Sequence, residues 1–95
     1  MEIRWTEQAV DDLIGIRSFI ARDSEVFAQL VAARLINAVD QLSTFPESGR
    51  IVPERGDSAL RELVRPPYRI VYECTPDAVV ILTVFHAARM FPEQL

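Results

Sequence analysis

The spacing of apolar residues changes twice along the chain, and each change marks a different kind of element. Ile3 and Trp5 alternate with Glu2 and Arg4, the period-two pattern of a short strand. From Thr6 the spacing lengthens. Ala9, Leu13, Ile16 and Ile20 follow at intervals that place them on one helical face, with Asp11, Asp12 and Arg17 mostly off it. Thr6 is suited to cap this helix, with Glu7 favoured in its first turn by the helix dipole. Trp5 and Val10 stand where a hydrophobic staple would form. Gly15 interrupts the helix at about 1 kcal/mol relative to alanine, a cost that close approach by a second helix would explain. Asp23-Ser24-Glu25 ends the first helix and can cap the next. Phe27, Val31, Leu35, Val39 and Leu42 then form a second stripe, widened by Val26, Leu30, Ala33 and Ile36. Two amphipathic helices so closely joined fold back as an antiparallel hairpin. Their apolar faces are too wide to satisfy only each other, so they need a sheet to cover.

The sheet is legible downstream. Phe45 to Asp57 holds two prolines and two glycines and reads as a loop. From Leu60 the period is two: Arg61, Leu63 and Arg65 alternate with Leu60, Glu62 and Val64. Pro66-Pro67 turns the chain. Tyr68, Ile70, Tyr72 and Cys74 then share one face, and Thr75-Pro76-Asp77-Ala78 suits a type I turn. Val79 to Phe85 is apolar on both faces, which places it inside the sheet. The expected fold is α+β: an N-terminal edge strand, then an antiparallel helix pair packed on a mainly antiparallel, twisted sheet of roughly four strands. Residues 1–95 are expected to form one domain, because neither side of the loop carries a full core alone.

Composition narrows the function. All ten basic residues are arginine, against fourteen carboxylates, for a net charge of −4. The overall field repels nucleic acid, so direct nucleic-acid binding is not expected without a local arginine cluster. The absence of lysine removes a lysine base, nucleophile or phosphate clamp. A single cysteine, Cys74, cannot close an internal disulfide and fits a reducing cytoplasm. No apolar run reaches membrane-spanning length, and the first residues do not read as a secretory signal. One histidine and one cysteine offer no metal-ligand spacing, and no cofactor-binding motif is present.

With this order of elements the chain resembles the RelE/ParE toxin superfamily. The residues that carry the likeness are Trp5-Thr6 before Ala9, Asp12-Leu13 and Ile16, then Phe45-Pro46 and Gly49-Arg50. They continue through Arg61-Glu62-Leu63, Pro67-Tyr68-Arg69-Ile70-Val71-Tyr72 and Ile81-Leu82, with Val84, His86 and Arg89 after them. The resemblance implies a type II toxin held by a cognate antitoxin, within a higher-order toxin–antitoxin complex. Its branches differ in target: RelE-like members cut messenger RNA on the ribosome, whereas ParE-like members poison DNA gyrase.

An RNase that cuts by 2′-hydroxyl attack needs a general base, a general acid and positive charge at the phosphate. The RelE-like branch supplies these with lysines, two arginines and a C-terminal tyrosine. Here the lysine positions fall on Leu60 and Glu62, the arginines match Arg69 and Arg89, and the tyrosine position falls at or past Leu95. The part that moves protons is missing, which favours the ParE-like branch and a non-enzymatic toxin that inhibits DNA gyrase. His86 could replace the proton-transfer group, with Glu62 as base, so a messenger-RNA endonuclease built on His86, Arg69, Arg89 and Glu62 stays as the alternative. A non-toxic binding module of the same fold is a further one. Considered singly, His86 at a strand end reads as a hydrogen-bonded structural residue and Glu62 as a solvated strand residue. Arg50, Arg61, Arg65, Arg69 and Arg89 together read as a surface for antitoxin or target, suited to bidentate pairing with carboxylates. If the sheet forms as expected, Arg69 and Arg89 can lie together at one end.

Overall fold

A computed structural model describes residues 1–95. Strand β1 (Glu2–Trp5) leads into helices α1 (Glu7–Ala21) and α2 (Glu25–Asp40) and a single 3₁₀ turn at Gln41–Ser43. Strands β2 (Arg50–Ile51), β3 (Leu60–Arg65), β4 (Tyr68–Cys74) and β5 (Ala78–His86) follow. They form one five-stranded sheet in the order β1-β5-β4-β3-β2. β1 runs parallel to β5, and the other pairs are antiparallel. The α+β reading holds, with a fifth strand: the Pro- and Gly-rich loop lends Arg50 and Ile51 to the edge, paired with Glu62 and Arg61. Two residues are too short a strand to carry a periodic signal.

Both helix starts are capped as the sequence suggests. Thr6 Oγ1 accepts from the Ala9 N–H at 3.1 Å, and Ser24 Oγ accepts from the Phe27 N–H at 3.1 Å. The Thr6 hydroxyl also donates to the Ile81 carbonyl at 2.8 Å, so one side chain caps α1 and ties it to β5. The main core lies between the helices and one sheet face, where Ala9, Val31, Leu35, Val39 and Leu42 meet Leu63, Ile70, Tyr72, Val79, Ile81 and Val84. Leu13, Ile16 and Ile20 pack against it from α1. The opposite sheet face carries a smaller cluster of Val52, Val71 and Phe85, flanked by Leu60, Leu82 and Phe91.

Two expectations need correction, and one feature of β5 carries no signal in the sequence. Phe27, Val26, Leu30 and Ile36 do not join the core but remain exposed, because α2 buries only the stripe through Ala28, Val31, Leu35 and Ala38–Val39. Gly15 does not receive a second helix: a Cβ built there meets no atom within 4 Å. The alternation along β5 breaks partway. Val71 pairs with Thr83, but Tyr72 pairs with Ile81, so Leu82 is an extra residue in a β-bulge. Before the bulge Val79 and Ile81 face the helices; after it Val84 does, while Leu82 and Phe85 join the opposite cluster.

Candidate functional site

The bulge decides which residues the end of β5 offers to each side of the sheet. Cross-strand partners share a face, and successive residues alternate. Tyr68 pairs with His86 and Arg69 with Phe85, so Tyr68 and His86 point to the helix side and Arg69 to the other. α1 fixes this phase. The Asp12 carboxylate accepts from the Thr83 hydroxyl at 2.6 Å and from the Val84 N–H at 3.0 Å, immediately after the bulge.

On the outer face Glu62 is 1% exposed, which overturns its reading as a solvated strand residue. It lies between two arginines. Arg50 Nε donates to it at 2.5 Å and Arg69 Nε at 2.7 Å. Arg69, itself 8% exposed, also grips Glu54 with both terminal nitrogens at 2.9 and 2.8 Å. The Arg69 hydrogen bond holds the Glu54 carboxyl at about 2, below its ordinary 4.5; the bond from Arg69 to Glu54 raises the guanidinium's own pKa further. Burying an ion pair is favourable only when the partners satisfy each other fully, and the geometry here supplies that. The cluster continues into apolar contact: the Arg69 guanidinium lies 5.3 Å from the ring centres of both Phe85 and Phe91. Arg55 holds the same C-terminal segment, donating to the Pro92 and Glu93 carbonyls at 3.2 and 2.9 Å.

The helix side of the sheet end is open. A cleft of about 590 Å³ lies between α1 and the last residues of β5, with Asp11, Gly15, Ile16 and Phe19 on one wall and Tyr68, Val84, His86 and Arg89 on the other. Tyr68 and His86 meet edge to face, with ring centres 5.7 Å apart. His86 Nδ1 accepts from the Ala88 N–H at 3.0 Å, so in the neutral ring the proton sits on Nε2 as a donor. Arg89 takes part in no ion pair.

The four residues of an RNase site are therefore not brought together: Glu62 and Arg69 are tied up on one face, and His86 and Arg89 share the cleft on the other. The expected meeting of Arg69 and Arg89 does not occur, because the pleat sends Arg69 to the outer face. The arginine surface divides likewise. Arg61 points to the helix side and donates to the Gly49 carbonyl at 3.0 Å, with its Nε buried and unpartnered. Arg65 donates to the Val64 carbonyl at 3.0 Å. Gly49 is needed where it stands: a Cβ would lie 2.5 Å from the Glu62 carbonyl oxygen and from the Tyr72 hydroxyl, which accepts the Gly49 N–H at 2.9 Å. Tyr72 and Cys74 both titrate above their ordinary values because burial penalises their charged forms, so neither is an activated nucleophile. No three His, Cys, Asp or Glu side chains come together as a metal site, and no helix is long and apolar enough to cross a membrane.

Asp12 belongs to the residues that carry the family likeness, but Asp11, Gly15 and Phe19 carry no motif of their own, and the sequence alone does not point to a cleft on their side of the molecule. The one available signal was Gly15, whose cost in a helix pointed to something close by.

Comparison with known proteins places this architecture. Residues 3–91 match the family described as the ParE toxin of the type II toxin–antitoxin system parDE. Toxin RelE2 of Caulobacter vibrioides is 41% identical over 90 residues, an alignment spanning 94% of this chain and 98% of that protein. Among solved structures, the chromosomal ParDE system from P. aeruginosa superposes with a TM-score of 0.74 at 20% identity, over 90% of this chain and 95% of the other. The toxin–antitoxin complex RelBE2 from Mycobacterium tuberculosis gives 0.66 at 23% identity, with the same coverage. The two structural likenesses establish the fold.

Proposed function

The chain belongs to the ParE toxin family of type II toxin–antitoxin systems, and from that premise we propose that it is a cytoplasmic, non-enzymatic toxin that binds DNA gyrase. A cognate antitoxin holds it inactive. The observation that carries this reading is the separation of Glu62 and Arg69 from His86 and Arg89 on the two sides of the sheet. In-line cleavage of RNA needs a base, an acid and cationic groups converging within hydrogen-bond reach of one phosphate. Glu62 is buried and occupied by two arginines, so it cannot accept a substrate proton without breaking both pairs. The net charge of −4 also opposes docking on RNA. Supercoiling by purified gyrase is expected to stop in the presence of antitoxin-free protein. Full supercoiling at a large molar excess of toxin would remove the proposal.

One observation favours ribosome-dependent messenger-RNA cleavage instead: Tyr68, His86 and Arg89 share the open cleft. That reading predicts codon-phased cuts in ribosome-bound message, abolished by His86→Ala. The same preparation, tested beside gyrase, separates the two. Continued growth of cells expressing the chain alone would instead indicate a binding module without toxicity.

A further inference from the structure

The cleft between α1 and the end of β5 has features that the toxin fold does not use for its own stability. Gly15 faces no neighbour within 4 Å, although glycine in a helix interior is costly and alanine would fit the space. Phe19 remains 67% exposed on the same wall. Across from them, the Arg89 guanidinium has no carboxylate partner, and the exposed His86 ring, with Nδ1 occupied, keeps Nε2 as its remaining donor. Asp12 is consumed by Thr83 and Val84, which leaves Asp11 as the free acid on the α1 rim.

We propose that this cleft is an anchor site for the antitoxin, taking a large apolar side chain beside Gly15 and, next to it, a carboxylate that pairs with Arg89 and His86. The inference deepens the antitoxin reading above and rests on it. Charge complementarity selects the occupant. A carboxylate-bearing peptide satisfies Arg89 bidentately, and its apolar side chain covers Phe19 and the half-buried Ile16. A nucleic-acid strand would instead bring a run of phosphates, rather than one carboxylate, against Asp11 and a chain of net charge −4. The missing side chain at Gly15 lets the anchor reach the helix backbone, and a longer residue there would occupy its place.

Gly15→Leu tests this without endangering the fold, because leucine is a better helix former than glycine and points into open space. The chain is co-expressed with its cognate antitoxin and the pair is purified through a tag on the antitoxin. Affinity is then measured by titration of the separated partners. The unaltered pair is expected to associate. Gly15→Leu and Arg89→Glu are each expected to weaken association at least tenfold, with the Tm of the free toxin unchanged or raised for Gly15→Leu. Undiminished affinity in both variants, in a pair that associates, overturns the cleft assignment alone. Failure of the unaltered pair to associate overturns the antitoxin reading and the cleft with it. Binding of a single-stranded RNA oligonucleotide that Arg89→Glu abolishes would assign the cleft to nucleic acid and overturn the proposal.

Discussion

Arg69 and Arg89 are the same side chain on opposite sides of one sheet, and they show how this small fold divides its arginines. Arg69 is buried, pairs with Glu54 and Glu62, and lies against Phe85 and Phe91. Arg89 is exposed beside a cleft and pairs with nothing. The outer face has only a small apolar cluster, so its charged groups help to close it, and removing one partner there strands another. The exposed groups of the cleft, Phe19 and Arg89, contribute little to folding and are free to meet another molecule. Charge type alone does not separate a structural arginine from a binding one; desolvation and pairing do.

The sharpest test of this contrast is Glu62→Ala. It leaves Arg69 buried with Glu54 alone, and a loss of about 3–5 kcal/mol is expected in denaturant unfolding. A loss below about 1 kcal/mol would show that the outer network is ornamental and break the comparison. Gly49→Ala should follow, at roughly 1–3 kcal/mol, because its Cβ collides with the Glu62 carbonyl and the Tyr72 hydroxyl. Thermal melting with near-UV circular dichroism would also register the displaced tyrosine.

Glu54→Gln is expected to cost about 1 kcal/mol or less, since the carboxylate is exposed enough for solvent to screen the pair. Its pH dependence follows from a folded pKa of about 2 against an ordinary 4.5. The contribution is fully present above the unfolded pKa and fades as pH falls through the folded one. Parent and variant should therefore differ in Tm at pH 6 and converge near pH 2; a gap that widens on acidification would contradict the pairing. The smallest effect is expected on the other side of the sheet. Arg89→Ala should change unfolding free energy by no more than about 0.5 kcal/mol, and a loss comparable to that of Glu62→Ala would mean the cleft is as structural as the outer face.

Much of the architecture was readable from particular residues. Thr6 and Ser24 cap the helices because their hydroxyls suit orphan N–H groups. Tyr68, Ile70 and Tyr72 share a face because a strand alternates. Glu62 was misread because its neighbours Arg61 and Arg65 suggested a solvated strand, while the partners that bury it, Arg50 and Arg69, come from elsewhere in the chain. Phe27 and Leu30 were misread because a wide stripe shows that a helix has apolar residues to spare, not which of them the sheet will reach.

Local pattern thus determined the two helices, four of the five strands, their order and the family, because propensities, caps and periodicity act over a few neighbouring residues. The tertiary structure decided which face each late residue serves. One extra residue at Leu82 reverses the phase of β5, and Asp12, reaching from α1 to Thr83 and Val84, holds that reversal in place. A strict alternation would have put His86 on the side of Leu82 and Val80. The register of a sheet is settled by long-range packing rather than by the strand itself, so the cleft existed only once the chain had folded.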